Sequence, residues 1–336
     1  MAKPIKDART VDVGLRPKVV VTRAIPQEAL ELLAVHATVD ANAADVGYTP
    51  EELVLHAQTA DAMVSLLTDR VDDSILARCP KLKAVANVAV GYDNIDVAAA
   101  ARRGVVVTNT PGVLTDATAD FAWALLLAVA RNVVPADRYV RDGRFREWMM
   151  MEFHGAELAG RMLGIAGFGR IGQAVARRGR GFGMHVVYAG PRRAAQAVEE
   201  ETGARFVDKE TLIATSDVLS LHVPLTPATQ HYLGDAEFAL MKPSAFVINT
   251  ARGPVIDEAA LARALSNGAI RGAGIDVFER EPAVEPALLA APNTVLAPHI
   301  ASATTETRTR MALMAAENVI AVLAGRPPVN PVAPPA

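Results

Sequence analysis

Cysteine is nearly absent: Cys79 is the only one in 336 residues. That excludes a disulfide framework and a thiolate metal cluster, and it fits a reducing compartment, so a cytoplasmic protein is expected. His36, His56, His154, His185 and His231 show no His-Glu-x-x-His spacing, and no metal site is expected. Gly-x-Ser-x-Gly is missing too, which leaves a serine hydrolase of the α/β type without support. The formal charge is only −3 and no run of like charges occurs, so neither a nucleic-acid footprint nor a partner-recruiting tail is indicated. The most apolar stretch, residues 121–130, is too short to span a bilayer, and the polar opening, residues 1–16, has no signal-peptide core. With nucleic acid and membrane set aside, the expected partner is a small molecule.

What the chain does have is Leu163-Gly164-Ile165-Ala166-Gly167-Phe168-Gly169-Arg170-Ile171-Gly172. A short apolar run reads as a buried strand, Gly167-x-Gly169-x-x-Gly172 as a turn, and Ile171 with Val175 as the apolar stripe of a helix. Gly167 permits the tight turn, Gly169 lets backbone approach a pyrophosphate, and Gly172 lets the helix pack closely on the sheet. The free amides and positive end of that helix would hold phosphates. An ordinary glycine-rich βα turn would give the same fold without the ligand. Gly179 reads as the helix stop, and Gly179-x-Gly181-x-Gly183 as stop and loop.

Around this motif, apolar runs alternate with amphipathic stretches. Strands are expected near residues 19–21, 38–39, 62–66, 83–86 and 105–108, with helices near 27–34, 50–57 and 95–101. After the glycine turn, strands are expected near 186–189, 205–207, 218–221, 245–249, 273–277 and 294–297, which with the strand before the turn makes a seven-stranded dinucleotide-binding unit. The length suits two α/β domains, each a doubly wound parallel sheet covered on both faces. Breakers in Asn109-Thr110-Pro111-Gly112 mark a boundary, after which Thr115 can cap a helix over residues 116–131. That helix is apolar almost all round, which implies burial by a neighbouring domain or another subunit. A helix is expected over 304–324, stopped by Gly325, followed by an extended tail over 326–336 with five prolines. The expected arrangement is a flavodoxin-like substrate domain (1–110, completed by 303–336) with a Rossmann-like cofactor domain (111–302) inserted in it.

Ligands of a doubly wound sheet sit beyond the carboxyl ends of its strands, and three residues with suitable chemistry follow such ends: Arg252, Glu281 and His299. An arginine fork binds a carboxylate, a histidine exchanges protons near neutrality, and a carboxylate can orient and charge that histidine. Together they suit reduction of a 2-oxo acid. Taken singly, Arg252 also reads as a solvated turn residue, Glu281 as a surface acid before Pro282 and His299 as a buried, backbone-satisfied histidine, with His222 a rival near another strand end. Cofactor choice follows from an absence. No Asp or Glu occurs from Arg170 to Val198, where an acid normally binds the ribose 2′-hydroxyl of NAD, and Arg192 and Arg193 follow the strand instead. Two arginines can pair with a 2′-phosphate, so NADP(H) is expected to be preferred, with NAD(H) possible.

Five ordered motifs resemble the D-isomer-specific 2-hydroxyacid dehydrogenases: the glycine turn, His222-Val223-Pro224-Leu225-Thr226, Ile248-Asn249-Thr250-Ala251-Arg252-Gly253, Gly274-Ile275-Asp276-Val277-Phe278-Glu279-Arg280-Glu281-Pro282 and Ala297-Pro298-His299-Ile300. The similarity covers about residues 19–325, and residues 109–120 most resemble the glyoxylate and hydroxypyruvate reductases. The resemblance implies Arg252 as substrate anchor, Glu281 as partner of the histidine and His299 as acid-base catalyst, with His222 structural or on the cofactor side. It further implies that backbone amides at Val90 and Gly91 bind the substrate carboxylate, and that Asp276 holds the nicotinamide carboxamide. Arg170 and Ile171 would then lie at the pyrophosphate, with Val223 and Pro224 also beside the cofactor. It implies a homodimer, with the helix over 116–131 as the natural contact, and it matches Trp148 to an aromatic residue that reaches a neighbouring active site. The flank of Trp148 departs from the family pattern, because Met149-Met150-Met151 replaces a Trp-x-Pro segment, and that puts the usual small substrate in question. Methionines there also read as filler in a core or subunit contact.

A dinucleotide-sensing corepressor shares this fold and these motifs, and turnover of an oxo acid by the purified protein separates the two. A formate-dehydrogenase-like reading is weaker, since that relative carries glutamine where Glu281 stands.

Overall fold

The computed structural model describes residues 16–334. The opening stretch up to residue 15 and the last two residues of the proline-rich end lie outside the described residues. The chain divides into two compact units, one formed by the residues up to Pro111 and again from Arg308, the other spanning Gly112–Thr307.

The first unit holds five parallel strands, β1 (Lys18–Val21), β2 (Thr38–Ala41), β3 (Ala62–Ser65), β4 (Ala84–Asn87) and β5 (Val106–Thr108), in the order β2-β1-β3-β4-β5. Its central strands are apolar on consecutive residues because both faces are covered. Val19, Val21, Ala62 and Val64 pack under the helices Gln27–His36 and Thr305–Leu323, whereas Val20, Met63 and Val85 pack on the opposite side with Leu53, Ile75 and Val97. Cys79 is buried in that second layer, where burial pushes its thiol pKa up.

The proline-rich segment is extended but not a free tail. Val332 donates its amide to the Val107 carbonyl at 2.8 Å, Asn109 donates to Asn330 at 3.3 Å, and Pro331 bridges Thr108 in antiparallel fashion. It therefore lies along the open edge of β5, since the exposed backbone groups of an edge strand attract any chain that can pair with them.

The second unit is a seven-stranded parallel sheet: β6 (Met162–Ala166), β7 (His185–Ala189), β8 (Ala204–Phe206), β9 (Val218–Leu221), β10 (Phe246–Asn249), β11 (Gly272–Ile275) and β12 (Thr294–Leu296). The order is β12-β11-β10-β9-β6-β7-β8, so the direction of winding reverses between β6 and β9. Registers align the strand ends in one row: Ala189, Ala166, Leu221, Asn249, Ile275 and Leu296 are successive neighbours. Any residue one to three positions beyond this row hangs from the same rim of the sheet.

Two local expectations are corrected here. The helix Thr115–Ala130 is capped by Leu114 with no side-chain hydrogen bond, because a backbone turn, Thr115 amide to Gly112 carbonyl at 3.2 Å, already starts it. Its Ala119, Ala122, Trp123, Leu125 and Val129 are buried within the second unit itself. The helix after the glycine turn runs Arg170–Gly181, so Gly179 lies inside it. A Cβ at Gly179 would stand 2.6 Å from Leu163 Cδ2, so this glycine serves close helix-sheet packing, and the left-handed turn that ends the helix falls to Gly183 (φ 69°).

Candidate active site

The glycine turn lies at the switch point between β6 and β9. Gly167 adopts φ 89° and donates its amide to the Ala189 carbonyl at 2.9 Å. A Cβ there would come within 2.6 Å of the His222 backbone, so only glycine lets the turn pass under the chain leaving β9. Gly169 is the extended N-cap of the helix, with no capping side chain, and a Cβ on it would meet nothing within 4 Å. The amides of Arg170, Ile171 and Gly172 are the first of the helix and have no intrahelical partner. An open approach to unpaired amides at a helix N-terminus fits the pyrophosphate of a dinucleotide. Val223, which is buried, and Pro224 follow His222 along the same rim.

Beyond β7 the loop at residues 190–195 carries Arg192 and Arg193. Arg193 is forked onto Glu199, with Nε 3.0 and 3.1 Å from the two carboxylate oxygens and Nη2 2.7 Å from Oε2. Glu199 Oε1 also accepts from the Tyr188 hydroxyl at 2.7 Å, and that hydroxyl accepts from the Ala194 amide at 2.7 Å. Phe168, from the glycine turn, stacks on the Tyr188 ring at 3.9 Å between centroids. Arg192 is exposed and makes no side-chain hydrogen bond or ion pair among the described residues. The first acid after the glycine turn, Glu199, therefore stands on the next helix, Gln196–Thr202, and is paired with Arg193.

Along the rest of the row the structure brings Glu281 and His299 into contact, with His299 Nδ1 2.9 Å from Glu281 Oε2. A carboxylate only accepts, so Nδ1 carries the hydrogen and Nε2 is left to exchange a proton. Glu281 Oε1 accepts from the Phe278 amide at 3.0 Å. Burial pushes the Glu281 carboxyl pKa up, but its hydrogen bond to His299, the charge of that ring, the Phe278 amide and the charge of Arg252 together hold it below the usual glutamate range. Arg252 thus acts electrostatically on Glu281. Its turn is fixed by Asn249, whose amide donates to the Arg252 carbonyl at 3.0 Å and whose carbonyl accepts from Ala251 at 3.0 Å.

His299 itself sits at φ 57°, a region costly for most side chains and found where surroundings impose it. Here Asp276 imposes it. The Asp276 carbonyl accepts the His299 amide at 2.8 Å, and its two carboxylate oxygens accept the amides of Ile300 and Ala301, each at 2.8 Å. Asp276 has no exposed surface, and burial raises its pKa in spite of those two amides.

Glu258 is a further residue at this site that the sequence did not single out. Although it opens a helix, Glu258–Ser266, it is buried, and its carboxylate accepts the amides of Glu279 and, at 3.1 Å, Glu285. The segment carrying Glu281 is therefore held from behind. Glu279 adds a contact to His231 at 2.6 Å. His222 contacts Ser220 Oγ through Nε2 at 2.8 Å, and burial brings its pKa down to about 4, so it is neutral at neutral pH.

Val90 and Gly91 lie in the first unit, in the loop after β4. Asn109 Nδ2 donates to the Val90 carbonyl at 2.8 Å and Asn87 Nδ2 to the Gly91 carbonyl at 2.9 Å, while the amides of both residues find no acceptor among the described residues. Trp148 is 72% exposed in the second unit, beside exposed Phe145, Met150 and Met151. Among the described residues, no group of three or more His, Cys, Asp or Glu could hold a metal ion, and no single helix is long and apolar enough to cross a membrane.

Residues 123–301 match the family model described as D-isomer specific 2-hydroxyacid dehydrogenase, NAD binding domain. A glyoxylate reductase from Thermococcus litoralis is 50% identical over 324 residues, covering 94% of this chain and 96% of that protein. A solved protein from Thermus thermophilus is 43% identical, with TM-score 0.88 over 94% of this chain and 100% of the other. The NADPH-dependent glyoxylate/hydroxypyruvate reductase of Sinorhizobium meliloti, solved with NADP and malonate, is 34% identical, with TM-score 0.86 over 95% of this chain and 97% of the other.

Proposed function

The chain belongs to the D-isomer-specific 2-hydroxyacid dehydrogenases, and on that premise we propose that it reduces a 2-oxo acid of the glyoxylate or hydroxypyruvate type to the D-2-hydroxy acid. The observation that carries the reading is the His299–Glu281 contact at 2.9 Å, with the Arg252 charge acting on it, on the rim that also bears the glycine turn.

When bound, a reduced nicotinamide supplies the hydride that the carbonyl carbon receives. His299 gives the proton on Nε2 to the carbonyl oxygen as charge develops there, and Glu281 keeps the ring oriented and balances its charge. Arg252 holds the substrate carboxylate with its fork. In the first unit, the amides of Val90 and Gly91 are the substrate-binding groups. The second unit is the dinucleotide-binding domain and the first the substrate domain. Gly167, Gly169, Arg170, Ile171 and Gly172 hold the pyrophosphate, with Val223, Pro224 and Asp276 on the nicotinamide side. His222, neutral and engaged with Ser220, is no rival as proton donor near neutrality.

NADPH is the preferred cofactor in this reading, supported by the missing acid on β7 and by the exposed Arg192 after it; Arg193, expected beside the cofactor as well, is paired with Glu199. The exposed Trp148, Met150 and Met151 support a homodimer in which Trp148 meets the neighbouring subunit, and the buried, unpaired Cys79 supports a cytoplasmic setting.

Purified protein assayed with glyoxylate and hydroxypyruvate, with each reduced cofactor and with chiral analysis of glycerate from hydroxypyruvate, tests the proposal. Expected are turnover, a higher kcat/KM with NADPH, and the D product. Tight dinucleotide binding with no turnover of any oxo acid in a panel would overturn it in favour of a binding protein.

A further inference from the structure

The pairing of Arg193 with Glu199 divides the work of the two loop arginines. We propose that Glu199 is a specificity-determining residue: it neutralises Arg193, leaving Arg192 as the cation that meets a cofactor 2′-phosphate, so an acid outside β7 sets the strength of the NADPH preference. The inference rests on the NADPH reading above and refines it.

Position is the first support. The residue that reads the ribose lies about 20 residues beyond the glycine turn, which from Gly172 falls on the loop of Arg192 and Arg193. The second is that Glu199 is no loose surface acid. Its side chain is 10% exposed, against 67% for Arg193, and the buried Tyr188 phenol ties it to the Ala194 amide in the same loop. The third is occupancy. With Nε and Nη2 both on Glu199, the side-on fork of Arg193 is filled and its charge is balanced by that carboxylate. Arg192, one residue earlier, has its guanidinium uncommitted among the described residues.

Charge arithmetic then gives opposite signs for different variants. The Arg193 and Glu199 charges sum to zero at the loop, so a 2′-phosphate meets the single charge of Arg192. Glu199→Gln keeps an acceptor for Tyr188 but removes the negative charge, which releases a second cation. Arg193→Ala does the reverse and bares a carboxylate that repels phosphate. Removing both members restores the neutral sum.

The test is the dissociation constants of NADP+ and NAD+ for the full chain, measured by calorimetry, with thermal unfolding as a check on each variant. Glu199→Gln should lower the Kd for NADP+ by roughly 3- to 10-fold and leave that for NAD+ within about 2-fold. Arg192→Ala and Arg193→Ala should each weaken NADP+, and the double variant Arg193→Ala with Glu199→Gln should return to within about 3-fold of wild type. If the double variant binds NADP+ as weakly as Arg193→Ala alone, Arg193 touches the phosphate itself and the proposal is wrong. A Glu199→Gln variant that weakens both cofactors alike makes Glu199 a loop brace and also overturns it. Wild type that binds NAD+ more tightly than NADP+ is a different failure, that of the NADPH reading, and the direction of the Glu199→Gln shift can still be read against it.

Discussion

His299 and Asp276 are bound to each other by backbone alone: the Asp276 carbonyl receives the His299 amide at 2.8 Å, while the Asp276 carboxylate receives the next two amides of the same chain. The backbone of His299 is consequently placed by a buried acid that its ring does not touch, and held at a left-handed φ that it would leave if released. Backbone placement and ring chemistry thus belong to different carboxylates: Asp276 fixes the chain, and Glu281 holds the ring and balances its charge.

His299→Ala should lower kcat for oxo-acid reduction by about 10²–10⁴, the usual worth of a positioned acid. Glu281→Gln retains size and hydrogen bonding, and its cost should be smaller and confined to kcat. Steady-state kinetics beside cofactor titration check this, since the Kd for cofactor should be unchanged in both. Near-normal reduction by His299→Ala would place the proton donor elsewhere.

Glu258→Gln should loosen the segment that carries Glu281. One carboxylate oxygen would become an NH2 facing a backbone amide, leaving a buried donor unsatisfied at a cost of about 1–3 kcal/mol. Urea unfolding should show that loss, and kcat should fall more than KM changes. An unaltered kcat at reduced stability would limit Glu258 to holding the fold.

His222 predicts how stability depends on acid. Its unfolded pKa lies near 6.5 and its folded value is about 4, so between those values the unfolded chain binds more protons. Its contribution is complete above pH 6.5 and is lost as pH falls towards 4, by at most about 3 kcal/mol because part of the residue still meets solvent. The depressed pKa of Glu281 acts lower down, with stability lost only below the ordinary glutamate range. Denaturant midpoints from pH 7 to 4 should slope downward in wild type and flatten in His222→Gln.

Gly179→Ala separates two meanings of a helical glycine. An exposed site would gain about 1 kcal/mol from the better helix former. Here the methyl group would press on Leu163 in the core, so a loss of about 1–3 kcal/mol is expected in the same unfolding assay.

Strands were legible in this sequence where both faces are buried, because such strands are apolar runs: Val186-Val187-Tyr188-Ala189 falls within the strand His185–Ala189, and the helix Pro50–Ala57 with its proline start also falls where the pattern places it. The helix Asp73–Ala77 is too short to show a period, and Val133–Arg141 buries no residue, so neither carries a core signal. Arg252, Glu281 and His299 were visible as polar residues just past strand ends, but Glu281 and His299 are 18 positions apart and their contact depends on how the chain between them folds. Glu199 stands one residue beyond the acid-free stretch, on the next helix, and no spacing shows that it folds back on β7. Glu258 has the appearance of a helix-dipole charge. Its only hint is that Asp257 already caps the helix, which leaves a second acid without a local task.

The proline-rich segment along β5 has a bearing on colloidal behaviour. A parallel sheet ends in a strand whose unpaired amides and carbonyls would accept another molecule's strand, and here the chain covers that border itself through Val332 and Asn330. Prolines lack the amide that a further strand needs, so Pro331 and its neighbours make the cover a poor template for growth. Trimming the chain after Gly325 would remove this cap and invite edge-to-edge self-association.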